Sequence, residues 1–120
     1  MDKRPKTIFL DIDGTILKHQ GNLVSIYQNE PEVLDGVYET LNHWDMQGYN
    51  IILTTGRKES LRKFTEEQLR NLNIFYDQLI MGIGGGVRYL INDFKPNSNN
   101  PTCHAITIDR NKGISHLKDL

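Results

Sequence analysis

DIDGT at 11–15 sets two carboxylates, Asp11 and Asp13, two positions apart at the end of an apolar run, TIFLDI at 7–12. Acids so placed repel each other and lose hydration, a cost relieved by a cation between them or a proton on one. A third carboxylate, for which Asp93 is the candidate, would complete a hard oxygen site of the kind Mg²⁺ prefers. Gly14 frees the backbone where it must turn sharply beside a ligand, and Thr15 adds a hydroxyl. Two further clusters follow apolar runs: Thr54-Thr55-Gly56-Arg57 after Ile51-Ile52-Leu53, and Asn92-Asp93 after Tyr89-Leu90-Ile91.

Positioning these clusters requires strands that end together. Residues 7–12 suit a central parallel strand, apolar on both faces, and Ile51-Ile52-Leu53 a second one. From Pro31, the apolar spacing Val33, Leu34, Val37, Leu41, Trp44 predicts a helix closed near Gly48. A second amphipathic helix is expected from Glu59 to Asn73, with Leu61, Phe64, Leu69 and Leu72 inward. Short strands are expected over 76–81, 87–91 and 104–108, and a terminal helix over 112–117. Residues 13–30 read as a long loop or a short β-hairpin, with 16–30 as a candidate flap. The order predicts an α/β fold, a Rossmann-like three-layer sandwich with a mostly parallel central sheet. Ligands bind such sheets at the carboxyl ends of the strands, where all three clusters fall.

Composition narrows the function classes. With 120 residues, 38% hydrophobic and 24% charged, the chain suits one globular domain over 1–120. A net charge of -1 without a basic run argues against nucleic acid as a partner. No stretch approaches the ~18–20 apolar residues of a membrane span, so no membrane partner and a cytoplasmic location are expected. Cys103 is the single cysteine, which excludes an intrachain disulfide and a cysteine zinc cluster. The four histidines have no metal-ligand spacing; only His19, on the flap, is near enough to meet a substrate. Gly82-Ile83-Gly84-Gly85-Gly86 lacks the last glycine of GxGxxG and leads into an apolar run, so the dinucleotide fingerprint fails.

DIDGT after an apolar strand resembles the signature of the haloacid dehalogenase-like (HAD) superfamily, mainly phosphatases. IILTTGR at 51–57 is similar to its second motif, and YLIND at 89–93 to its acidic metal motif. The segments TTGR, TEEQL, FYDQLIMG and LINDFKP resemble small capless members associated with surface-polysaccharide genes. The resemblance implies that Asp11 attacks phosphorus, forming an aspartyl-phosphate, while Asp13 serves as acid and then base. It implies a Mg²⁺ cofactor held by Asp11, the Asp13 carbonyl and Asp93. Phosphate would be held by Thr55 (Thr54 being the alternative) and by the turn containing Gly14 and Thr15. The family's lysine before the acidic motif is missing from MGIGGGVRYLIND, where Arg88 falls inside the expected strand. Lys95 is the first candidate substitute and Arg57 the next. A chain of this length has no room for a cap, and capless members act on bulky substrates or borrow a neighbouring subunit, which implies an open site and a homo-oligomer; the family resemblance alone implies a small phosphorylated substrate, a sugar phosphate or related metabolite.

Each motif also has a plain structural reading: solvated acids at a strand end for DIDGT, a turn or cap for Thr55, an Asx turn for Asp93. Among rival functions, a response-regulator receiver needs an Asp near position 54 and finds Thr. A nucleic-acid 3′-phosphatase would want a basic stripe that is missing. A catalytically weak module binding a phosphorylated ligand or a protein remains the alternative, motivated by the missing lysine.

Overall fold

The computed structural model describes residues 3–120; Met1 and Asp2 lie outside the described residues. Three parallel strands form one sheet in the order β1-β2-β3: β1 (Thr7–Asp11), β2 (Asn50–Thr54) and β3 (Gln78–Ile80). Helix α1 (Leu23–Gln28) lies in the flap, α2 (Val37–Met46) links β1 to β2, and α3 (Arg62–Asn71) links β2 to β3. Short 3₁₀ turns cover Glu59–Leu61 and Ser115–Leu117. The expected α/β class with a parallel sheet is present.

Register and alternation divide the sheet into two unlike faces. Ile8, Leu10, Ile51, Leu53 and Leu79 share one face, since Leu10 pairs with Leu53 and Leu53 with Leu79. That face builds the core with Leu41 and Trp44 from α2 and Leu61 and Leu69 from the α3 region. Two right-handed crossovers taken in the same direction put both helices on the same side. The other face carries Phe9, Ile52 and Ile80; no described helix covers it, although Ile52 between the other two is buried. Phe9 is 52% exposed and Ile80 39%.

Several local expectations give way to tertiary structure. The α2 helix begins at Val37, not Pro31, because Gly36 turns the chain at φ 72 and Val33 is drawn into a bridge with Leu17. Residues 16–30 are not all irregular: Asn22 caps α1 by accepting the Ser25 N–H at 2.8 Å. Phe64 is only partly buried, and it meets Tyr27 of α1 with ring centroids 4.5 Å apart. The flap is thus pinned to α3 by an aromatic pair.

The strands expected at 87–91 and 104–108 do not form. Residues 85–107 run out as an arm whose Val87, Tyr89 and Ile91 are 86%, 86% and 87% exposed, while Ile83, Gly84, Ile108 and Arg110 at its root contact the body. Its two legs touch through side chains rather than a ladder: the Thr102 hydroxyl donates to the Asp93 carbonyl at 2.8 Å. An apolar run becomes a strand only where a neighbour offers its backbone groups, and none does so here.

Leu53 is fully buried at the centre of the packed face. Leu53→Ala should cost about 2–5 kcal/mol, read as a lower midpoint in urea unfolding with an unchanged m-value.

Candidate active site

The DIDGT turn winds around one carbonyl. The Ile12 oxygen accepts the N–H groups of Thr15, Ile16 and Leu17 at 3.1, 3.0 and 3.1 Å, and the Gly14 N–H donates to Leu17 at 2.7 Å. Ile12, Ile16 and Leu17 are all buried, so the apolar residues between the polar ones anchor the turn in the core. Gly14 sits at φ 95, which an L side chain resists. The result aims Asp11 and Asp13 outward from a rigid base. The Thr15 hydroxyl lies 3.4 Å from Asp11 Oδ2, a long contact, and the Asp13 carbonyl receives no donor from any described residue.

Next door, β2 delivers Thr54 opposite Asp11 in register and then Thr55 and Arg57. Thr54 is half-buried on the Asp11 side of the sheet, while Thr55 is 1% exposed. The Thr55 hydroxyl accepts the Arg57 N–H at 3.1 Å, which fixes the turn that aims Arg57. Arg57 then makes a forked pair with Asp13: Nε to Oδ2 at 2.9 Å and Nη2 to Oδ1 at 2.8 Å. Its remaining nitrogen donates to Thr65 at 3.1 Å and to Gln68 at 2.9 Å, both on α3. With side-chain exposures of 4% for Arg57 and 18% for Asp13, this ion pair is largely shielded from water. Between it and the flap, beside Lys18, Gln20 and Asn29, the gap is ≈ 10 Å³, room for one water.

Asp11 is the carboxyl whose environment most resembles a reacting group. Burial raises its pKa from the ordinary carboxylate value; the Ile12 amide opposes this, Asp13 raises it further, and Arg88 and Thr15 lower it. Repulsion between the two acids and the free Asp13 carbonyl suit a hard cation such as Mg²⁺. The third expected ligand is not brought in. Asp93 lies exposed on the arm, and among the described residues no three His, Cys, Asp or Glu side chains come together as a metal site. Asn92 and Lys95 are exposed on the same arm, and no hydrogen bond or ion pair among the described residues joins the Lys95 side chain to the site. Arg57 is turned to Asp13, Thr65 and Gln68, which take four of its five N–H donors.

Two cations that sequence reasoning passed over stand at the site instead. Arg88 is tied to the Gly84 carbonyl at 2.9 Å, and that carbonyl lies against Gly56, where an added Cβ would meet it at 2.9 Å. Arg110 packs its stem on Gly14, and Asn111 donates its N–H to the Gly14 carbonyl at 2.8 Å. The Asn111 side chain also accepts the His19 N–H at 2.8 Å, tying the flap base to the DIDGT turn. IDRNKG at 108–113 matches no motif that would have announced this, and Arg88 was hidden in an expected strand.

A family model described as "PITM 1-3, LNS2 domain" matches residues 8–95, the stretch holding both acids, the Thr-Thr-Gly-Arg turn and Arg88. The chain belongs to this LNS2 domain family. LNS2 domains are lipin-like phosphatase domains of HAD-like fold, the class that DIDGT resembles. No curated protein matches this LNS2 domain. Among solved structures, a chain of the Pnkp1/Rnl/Hen1 complex aligns at TM-score 0.56 and 29% identity, covering 71% of the LNS2 domain and 30% of that chain. The LNS2 domain therefore spans under a third of that relative. A crystallographic target from Vibrio cholerae aligns at TM-score 0.50 and 20% identity, over 72% and 79% of the two chains, a likeness of fold alone.

Two outcomes follow for the LNS2 domain. Arg57→Ala should destabilise it by about 3 kcal/mol, because Asp13 and Thr65 lose their shared partner, and Arg57→Lys should restore only part for want of a fork; urea unfolding of the three proteins checks this. The raised Asp11 carboxyl means the folded state holds that proton more tightly than the unfolded chain. Stability is then lost as pH rises from the ordinary value of 3.8 through the raised one, and stays lost at pH 7. Asp11→Asn should accordingly raise the Tm in EDTA at pH 7 and leave it unchanged at pH 3, as scanning calorimetry would show.

Proposed function

We propose that this LNS2 domain is a phosphatase that hydrolyses a phosphate monoester through an aspartyl-phosphate on Asp11. The observation that carries the reading is the Asp11–Thr54 register together with the Arg57–Asp13 fork. These set a nucleophile, a second carboxylate and phosphate-facing hydroxyls at the carboxyl ends of two adjacent strands. In the first step an Asp11 oxygen bonds to phosphorus and the bond to the leaving oxygen breaks; Asp13, once it leaves the Arg57 fork and takes a proton from solvent, gives that proton to the leaving oxygen. In the second, water attacks phosphorus, Asp13 takes the water's proton, and the Asp11–phosphorus bond breaks.

Arg57 is a positioning residue here, holding the Asp13 carboxyl in one orientation from α3. The Thr54 and Thr55 hydroxyls, the Asp13 N–H and Arg88 would hold phosphoryl oxygens, since the other N–H groups of the DIDGT turn are spent on the Ile12 and Leu17 carbonyls and on Asp11. Mg²⁺, bound by the Asp11 carboxylate and the Asp13 carbonyl, would offset negative charge between nucleophile and phosphate. The one-water gap beneath the flap leaves the Asp11 side as the route for substrate. A sugar phosphate or related small metabolite suits the small capless phosphatases that the TTGR, TEEQL, FYDQLIMG and LINDFKP segments resemble. No helix among the described residues is long and apolar enough to cross a membrane, and a cytoplasmic setting fits such a substrate.

Asp93 on the arm favours the second reading, a catalytically weak module that binds a phosphorylated ligand. Hydrolysis of p-nitrophenyl phosphate and a sugar-phosphate panel separates the two. The expected outcome is turnover that needs Mg²⁺, stops in EDTA and falls at least ~10³-fold in Asp11→Asn. Ligand binding by the wild type without turnover on any ester would establish the module instead.

A further inference from the structure

The DIDGT turn is short of donors for the anion it would hold. Its Thr15 N–H goes to the Ile12 carbonyl and its Gly14 N–H to the Leu17 carbonyl, while the Ile12 N–H serves Asp11. Phosphate arriving there also meets two carboxylates, of which only Asp13 is held by an arginine. A further cation at the turn would relieve both deficits.

IDRNKG at 108–113 has no part in the steps above, yet it is built against the tip of this turn. Ile114 is fully buried and donates its N–H to the Asp35 carbonyl at 3.2 Å. Gly113 is so close to Asp35 that an added Cβ would run into its carbonyl. At the other end Ile108 packs against the core. Between these anchors Asn111, at φ 63, donates its N–H to Gly14 and accepts the His19 N–H, both at 2.8 Å. The segment is a strap with both ends fixed.

What the strap lays over the turn is Arg110. Its Cγ lies 3.2 Å and its Nε 3.8 Å from where a Cβ on Gly14 would stand. The side chain therefore fills the space that the glycine leaves open. The residue is exposed, and among the described residues no hydrogen bond or ion pair takes its guanidinium. Arg57 differs on both counts, being buried with four donors spent. An arginine with a seated stem and five unspent N–H donors is preorganised for phosphate oxygens.

We propose that Arg110 is a substrate-binding residue whose guanidinium holds the phosphate of the ester at the tip of the DIDGT turn. The positive charge that MGIGGGVRYLIND lacks as a lysine then comes from the strap, on the far side of the acidic motif. The inference rests on the phosphatase reading for its ligand, but the binding can be measured without turnover.

Inorganic phosphate, titrated with Mg²⁺ at constant ionic strength and read by the rise in Tm, tests it. Arg110→Gln keeps a stem on Gly14 and removes the charge, and Arg110→Lys keeps the charge without the fork. Lys112→Ala removes an equal charge from an exposed position two residues along the same strap. Wild type and Lys112→Ala should bind alike, Arg110→Gln ~10–100-fold more weakly, and Arg110→Lys in between. Without phosphate, the urea midpoints of wild type and Arg110→Gln should agree, which a merely structural arginine would not allow. Undiminished binding by Arg110→Gln would overturn the proposal and leave Arg110 as packing for the turn. Equal losses in Arg110→Gln and Lys112→Ala would overturn it in favour of a diffuse positive field, and a wild type that binds no phosphate would overturn it outright. Turnover separates this inference from the reading beneath it. An ester hydrolysed by Arg110→Gln with unchanged KM would sink the role of Arg110 and leave the phosphatase standing. Phosphate bound through Arg110 with no ester turned over would do the reverse.

Discussion

Arg57 stands where three segments distant in sequence must agree. Its fork holds Asp13, its backbone is fixed by Thr55 at the end of β2, and its last nitrogen is held by Thr65 and Gln68 on α3. Exposed ion pairs contribute little, but this one is shielded and each of the three Arg57 nitrogens donates to a partner. Without it the DIDGT turn would still form, since the Ile12 carbonyl and three buried side chains secure it. What would go is the link between that turn and the second motif, and with it the single orientation of the Asp13 carboxyl.

Around this link the fold is economical. Three parallel strands end together, two crossover helices cover one face, and the flap closes the Asp13 side through the Tyr27–Phe64 pair. The same economy leaves a sheet face, a strand edge and an apolar arm uncovered. Crossover handedness forces the first of these, because two right-handed connections taken in one direction leave the opposite face bare.

The local pattern made β1, β2, the acid pair and the Thr-Thr-Gly-Arg turn legible, since each is an apolar run ending in a cluster of polar residues. The family match over 8–95 agrees with that reading at the level of a HAD-like phosphatase domain. The residues at 87–91 misled for a physical reason: hydrophobic alternation reports a wish to be buried and says nothing about whether a neighbouring strand is within reach. Pro31 misled because Val33 and Leu34 match a helical stripe yet are spent on a bridge to the flap and on the core. Arg88 and Arg110 were illegible because a cation's use depends on the chain path around it. The turn at Asn111 and Gly113, which brings Arg110 to Gly14, has no signature beyond two residues tolerant of positive φ.

The central claim is that Asp11, held by this turn, becomes covalently phosphorylated. Mixing the wild type with an excess of a phosphate ester it accepts, quenching in acid within milliseconds and mapping peptides by mass spectrometry tests it most directly. The account expects a phosphoryl group on the peptide carrying DIDGT, converted to a reduced side chain at position 11 by borohydride. A label on Asp13 or on another residue, or turnover with no labelled peptide at any time, would contradict it.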